Sequence, residues 1–202
     1  PCDRQLWYKF RGCVDVEYEP RKLRLFDTGH REEARVIEEL KAAGFEVLDR
    51  TPDGHQWSVH AFGGHFRGHF DGLIRIDARW HVLEIKTAST SDWKAVVKHG
   101  LRPKKPVHYA QIQTYLALAQ VYWDKWRPLD SPPDAALYIS VCRETDAIHA
   151  EIVPIDMDEA VTCYERARRV IDAVEPPPRI SESALAAVCG AKPGTPSRLI
   201  GG

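Results

Sequence analysis

Net charge is the first thing this sequence lacks. Its 28 Lys and Arg stand against 29 Asp and Glu, a formal net charge of −1. No global basic field announces a polyanionic partner, so any such partner must be met by local patches. No apolar run approaches the ~20 residues of a membrane span, and no secretory leader is visible. The expectation is therefore a cytoplasmic protein with no membrane partner. No Cys-x-x-Cys pair occurs among Cys2, Cys13, Cys142, Cys163 and Cys189, which argues against a zinc knuckle. Scattered reduced thiols fit that compartment. No internal repeat is present. The chain opens on Pro1 rather than on methionine, which implies that further residues precede it.

What is there is an ordinary globular composition, 44% apolar and 28% charged over 202 residues, enough for a real core. The chain divides into a helical, basic arm (residues 1–25), a core (26–175) and a C-terminal tail (176–202). That tail is low in apolar residues and reads as extended or mobile.

Residues 68–87 read as a β-hairpin. Phe70, Ile74 and Ile76 lie between polar or glycine positions, Asp77-Ala78-Arg79 can turn the chain, and Val82-Leu83-Glu84-Ile85-Lys86 returns. Glu84 and Lys86 are two apart and leave a strand on the same face, where Asp71 of the neighbouring strand can join them. An Asp beside a Glu-x-Lys is commonly just a solvated face with a cross-strand ion pair. Here Leu73, Ile74, Leu83 and Ile85 put the strands near the core, where charged side chains need a reason. Two carboxylates converging with a lysine suit a hard divalent cation, with the lysine left for a phosphate or a water.

Around this hairpin the other elements follow from periodicity and punctuation. Residues 2–11 read as a short amphipathic helix, with Leu6, Trp7 and Phe10 docking and Arg4, Lys9 and Arg11 facing solvent. Packing is its default role and a DNA-facing arm the sharper alternative. Arg21-Lys22-Leu23-Arg24 adds a small basic cluster. A strong helix starts at Phe26-Asp27-Thr28-Gly29, capped by Asp27 or Thr28, with Glu32 and Glu33 in its first turn. Val36, Ile37, Leu40 and Ala43 form its apolar stripe and Gly44 ends it. Strands are expected at 45–48 and 56–61. His55, His60, His65 and His69 show no ligand spacing.

Beyond Lys86 a polar loop enters a short helix that ends near His99, broken by Gly100 and Pro103. Trp93, Lys94, Lys98, Arg102, Lys104 and Lys105 make the densest basic stretch. A charge run is usually a solvated face, but this one sits directly downstream of the carboxylates, where phosphate contact is expected. Trp93 is either a base-stacking platform or a core anchor. A long helix from Pro106 towards Trp123 puts Gln111 and Tyr115 on one face, beside Ile112, Leu116 and Ala119. A second hairpin (135–141, 148–153) and a last helix capped by Asp156 and stopped by Pro176-Pro177-Pro178 complete the chain.

Gly29-x-x-x-Glu33, Gly68-x-x-Asp71-Gly72, Glu84-Ile85-Lys86 and Gln111-x-x-x-Tyr115 fall on a helix, two strands and a helix, in that order. Together they resemble the PD-(D/E)xK nuclease superfamily, and the glutamine–tyrosine helix resembles its RecB-like and phage-recombination exonuclease branch. The resemblance spans about residues 26–115. It implies an α/β (α+β) fold with a restriction-endonuclease-like core, a central mixed sheet flanked by helices in the order αβββαβ. It further implies Glu33, Asp71, Glu84 and the Ile85 carbonyl as metal ligands and Lys86 as the catalytic lysine. Gln111 and Tyr115 would contact the DNA backbone or buttress the site. Mg²⁺ is the implied cofactor, with Mn²⁺ substituting. DNA is the implied partner, as linear duplex ends, with a single-strand annealing protein and further copies of the chain as candidate partners. The activity implied is an exonuclease of recombination or repair; a structure-specific endonuclease and an inactive DNA-binding module are the alternatives. Some RecB-like relatives hold an iron–sulfur cluster on one early and three late cysteines. Cys2 and Cys189 sit where such ligands begin, but the other late cysteines are absent, so no cluster is expected.

Overall fold

Apolar, β-branched strands alternate with amphipathic helices along most of the chain, and the computed structural model, which describes residues 2–13, 17–126 and 129–178, folds them around one mixed sheet. Its strands are β1 (Val47–Leu48), β4 (Gly72–Ile76), β5 (Arg79–Ala88), β6 (Ala135–Cys142) and β7 (Ile148–Pro154), ordered β1-β4-β5-β6-β7. The β5/β6 pair is parallel and the other pairs are antiparallel. Two further strands, β2 (Ser58–Ala61) and β3 (Phe66–His69), form a separate two-stranded ribbon. The strand expected at 56–61 therefore does not join the main sheet. It turns back through Gly63 and Gly64, both at positive φ, and pairs with β3 in the register Ser58↔His69.

The helices are α1 (Asp3–Phe10), α2 (Pro20–Ala42), α3 (Thr90–His99), α4 (Leu101–Lys104), α5 (Pro106–Tyr122) and α6 (Met157–Asp172). The expected order αβββαβ is carried by α2, β1, β4, β5, α5 and β6. The ribbon and α3–α4 are inserted between them. On one sheet face Val36 and Ile37 of α2 pack with Ile74, Leu83, Ile85, Ile139 and Val141. On the other, Ile112 and Leu116 of α5 pack with Trp57, Phe70, Leu73 and Val82. β6 is buried along its whole length, which explains its nearly unbroken apolar run.

Helix α2 begins nine residues before Gly29. Pro20, with its fixed φ and no N–H to lose, takes the first helical position. Asp27 and Thr28 are consequently not caps. Asp27 pairs with Arg31 at 3.0 Å, and the Thr28 hydroxyl donates to the Arg24 carbonyl at 2.9 Å. Glu33 is therefore a mid-helix residue rather than a first-turn one. The helix ends as expected: Gly44, at φ 92°, donates to the Lys41 carbonyl (3.0 Å) and Phe45 to the Leu40 carbonyl (3.1 Å). Gly100 (φ 81°) ends α3, but Pro103 lies inside α4 and breaks nothing, since the first-turn N–H it lacks has no helical acceptor. Asp156 accepts from the Glu159 amide at 3.1 Å and caps α6.

Contacts group residues 18–164 into one compact unit and the two chain ends into another. In the second unit α1 is tied to the end of α6. Asp3 accepts from Arg166 (2.7 Å), and the Trp7 indole donates to the Ala173 carbonyl (2.7 Å). Arg4 and Arg11, expected to face solvent, donate to the carbonyls of Pro177 (2.8 Å) and Ala173 (2.7 Å). Arg11, still exposed, thereby satisfies a carbonyl at the end of α6, and Arg4 one in the segment that follows it. Cys189 and the tail from 179 lie outside the described residues. Among those residues no helix is long and apolar enough to cross a membrane.

Candidate active site

β4 stops short of its partner, and that mismatch opens the site. Gly72, its first residue, pairs with Leu83, so β5 from Glu84 onwards has a bare edge on that side. Asp71 fills the start of it. Its amide donates to the Leu83 carbonyl at 3.1 Å, and its Oδ2 accepts from the Ile85 amide at 2.6 Å. Asp71 is thus held at the entrance to β4 and aimed along β5, rather than standing within a paired strand. The N–H and C=O of one strand residue point to the same edge, so the Ile85 carbonyl faces the side on which Asp71 lies.

Three carboxyl groups and one ammonium gather at this edge. Glu33, from the middle of α2, is hydrogen-bonded to Asp71 side chain to side chain, an arrangement that requires a shared proton. Glu84 has no exposed surface. The Lys86 ammonium contacts one of its oxygens, and apart from that ion pair neither oxygen accepts a hydrogen bond from the described residues. Burial raises the Glu33 carboxyl above its usual range, and the nearby Asp71 adds to this. Burial also raises Asp71, against the opposing pull of Lys86 and the Ile85 amide. Glu84 is pushed up to about 7, again by burial, with Lys86 opposing and Asp71 adding. For Lys86 burial works downward, but Glu84, Asp71 and Glu33 outweigh it and keep the ammonium charged.

The residues could therefore hold a hard cation. Every donor is an oxygen, and Glu84 is a buried charge short of compensation. Among the described residues no three His, Cys, Asp or Glu side chains stand as a ready-made metal cage. The carboxyl groups close instead on one another and on Lys86. A cleft of about 340 Å³ leads in past Glu33 and Asp71, lined also by His30, Asp49, Arg50 and Gln56.

From the α5 side, Gln111 Nε2 donates to the Tyr115 hydroxyl at 2.5 Å. Tyr115 is only 4% exposed, and β3 lies directly against it. A Cβ at Gly68 would overlap the Tyr115 ring at Cε1, so only glycine allows this approach. Burial, followed by the charge of Glu84, raises the Tyr115 phenol. It thus lies within electrostatic reach of Glu84 and Asp71.

The basic stretch is less uniform than its sequence suggests. Lys105 is paired with Asp92 (2.8 Å), and Arg102 with Asp156 (3.3 Å) while lying over the Tyr109 ring. Lys94, Lys98 and Lys104 are exposed, and none makes an ion pair among the described residues. The Trp93 indole donates to the Ser140 carbonyl at 3.0 Å, which makes it an anchor of α3 on β6. Sequence reasoning missed His108, Tyr138 and Ser140. In the β5/β6 register Tyr138 stands beside Glu84 and Ser140 beside Lys86. The missed signal is a Tyr-x-Ser inside an otherwise apolar strand, with the spacing of Glu-x-Lys.

A comparison of the sequence with curated proteins finds no match. Among solved structures the fold resembles an alkaline exonuclease, LHK-Exo, from Laribacter hongkongensis. The two share 15% identity and a TM-score of 0.54, covering 81% of this chain and 72% of that one. The structure of SSO0001 is also similar, at 17% identity and a TM-score of 0.44, over 87% of this chain and 86% of that one. At such identities the likeness is one of fold alone. A family model described as the PD-(D/E)XK nuclease superfamily matches residues 12–194, nearly the whole chain: this chain belongs to the PD-(D/E)XK nuclease superfamily.

Proposed function

We propose that the chain is a metal-dependent deoxyribonuclease that hydrolyses phosphodiester bonds from DNA ends. The observation that carries the reading is Glu84, a buried carboxylate whose charge is met, among the described residues, only by Lys86, two residues along the same strand. Glu33, Asp71, Glu84 and the Ile85 carbonyl would hold Mg²⁺, or Mn²⁺ in its place. When bound, such an ion activates water and stabilises charge on the scissile phosphate. Lys86, kept protonated by the carboxylates around it, sets a positive charge where the phosphate becomes more negative in the transition state. Tyr115, with Gln111 on its hydroxyl, fixes the wall behind Glu84.

DNA would approach over Lys94, Lys98 and Lys104. Arg102 and Lys105 stand in the same stretch but are already engaged with Asp156 and Asp92. End-dependent cutting is supported by the Gln111-x-x-x-Tyr115 helix and by the likeness to a protein described as an alkaline exonuclease. A role in recombination or repair, with an annealing protein as partner, rests on the resemblance alone. The test is digestion of linear duplex beside covalently closed duplex, in Mg²⁺ or in EDTA. Loss of the linear form only, and only with Mg²⁺, is the expected result. Nicking of the closed form at a comparable rate would favour a structure-specific endonuclease.

A further inference from the structure

The sheet face that carries Glu84 and Lys86 does not end with β5. Residues in register on neighbouring strands share a face, and the next strand contributes Tyr138 beside Glu84 and Ser140 beside Lys86, both buried. The Tyr138 ring belongs to the core, but the two hydroxyls of a buried Tyr-x-Ser add nothing to it and need partners. Tyr138 finds one above the sheet: its hydroxyl is 3.2 Å from Nδ1 of His108, in the first turn of α5. The Ser140 hydroxyl lies on its other side, short of a well-aligned hydrogen bond.

His108 is half-buried, and burial together with the charges of Lys86 and Lys105 pushes its imidazole down to about 4. The ring is consequently neutral at neutral pH, although it sits within electrostatic reach of Lys86. Its Nδ1 is engaged, and among the described residues Nε2 has no hydrogen-bond partner. A neutral ring with one nitrogen pinned has a defined tautomer, and its other nitrogen a defined role.

On the reading of the site as a phosphodiesterase, we propose that His108 is a further substrate-contacting residue: Tyr138 donates its hydroxyl proton to Nδ1, and Nε2–H donates to a non-bridging phosphate oxygen beside Lys86. Tyr138 is then a positioning residue, acting through His108. A neutral donor suits this place, because a third cation next to Lys86 and Lys105 would be repelled by both.

Two measurements decide it. In ¹⁵N-histidine-labelled protein, NMR should show His108 as the Nε2–H tautomer at neutral pH, and Tyr138→Phe should abolish that preference. The Nδ1–H tautomer, or a charged ring, in the wild-type protein would overturn the proposal. In single-turnover cleavage of linear duplex with Mg²⁺, His108→Phe should slow the reaction at least tenfold. His108→Gln, which keeps an N–H near the Nε2 position, should recover most of that loss. Tyr138→Phe should cost less than His108→Phe and add nothing to it. Wild-type rates in His108→Phe, or a Gln variant no better than Phe, would overturn this inference alone. A wild-type protein that cleaves nothing would overturn the nuclease reading and this inference with it.

Discussion

A carboxylate with no exposed surface and, among the described residues, one ammonium as its sole partner is costly for a fold to keep, and Glu84 is such a residue. The cost has a measurable sign. Glutamate titrates near 4.5 in an unfolded chain, whereas burial pushes Glu84 up to about 7 in the fold. Between those values the folded protein holds a proton that the unfolded chain has released. The stability Glu84 contributes is therefore complete below about 4.5 and is lost as pH rises through about 7. Glu84→Gln cannot ionise and escapes this loss. In EDTA, urea unfolding at a series of pH values should show the variant gaining on wild type across that window, by at most ~1.4 kcal/mol per pH unit. A difference that does not change with pH would show that Glu84 is not an electrostatic strain. Glu84 and Lys86 were legible in the sequence because strand alternation is local. The Glu33–Asp71 hydrogen bond was not, since it depends on where α2 begins.

Among the elements, β3 and α5 meet at one point with no room to spare. The motif Gly68-x-x-Asp71-Gly72 is visible in the sequence, but the reason for its first glycine lies 47 positions away, in the ring of Tyr115. Gly68→Ala must displace either that ring or β3, and β3 runs straight into Asp71. Overpacking of this kind costs on the order of 1–3 kcal/mol. The expected result is a destabilised protein with cleavage slowed at least tenfold, read by urea unfolding and single-turnover kinetics. Wild-type stability and rate in the variant would mean that β3 and α5 are not in rigid contact. Elsewhere the hairpins, the Gly44 stop and the Asp156 cap were legible because each rests on residues within a few positions. The pairing of β2 with β3 was not legible because nothing local says which neighbour an isolated strand will choose. Helix α2 was started late because Phe26-Asp27-Thr28-Gly29 offers stronger local punctuation than Glu19-Pro20.

For the molecule as a whole, a net charge of −1 makes the DNA path a question of local pairing. Intramolecular ion pairs leave fewer cations for phosphate than the sequence counts, since Arg102 and Lys105 are spoken for. Each remaining lysine that meets a phosphate should add about 0.9 to the slope of log affinity against log salt. Replacing Lys94, Lys98 and Lys104 together by alanine should flatten that slope by roughly 2–3, and replacing Arg102 and Lys105 by less. An unchanged slope in the triple variant would move the path to the Arg21-Lys22-Leu23-Arg24 face. The central claim, however, is that one set of carboxylates at the open edge of β5 makes cleavage metal-dependent. It is tested most directly by single-turnover cleavage of a labelled linear duplex by wild type, Asp71→Ala and Glu84→Ala, with Mg²⁺ and with EDTA. Cleavage by wild type with Mg²⁺ alone, and losses of about a hundredfold or more in both variants with their folded spectra intact, is the predicted result. Cleavage by wild type in EDTA, or undiminished rates in both variants, would contradict it.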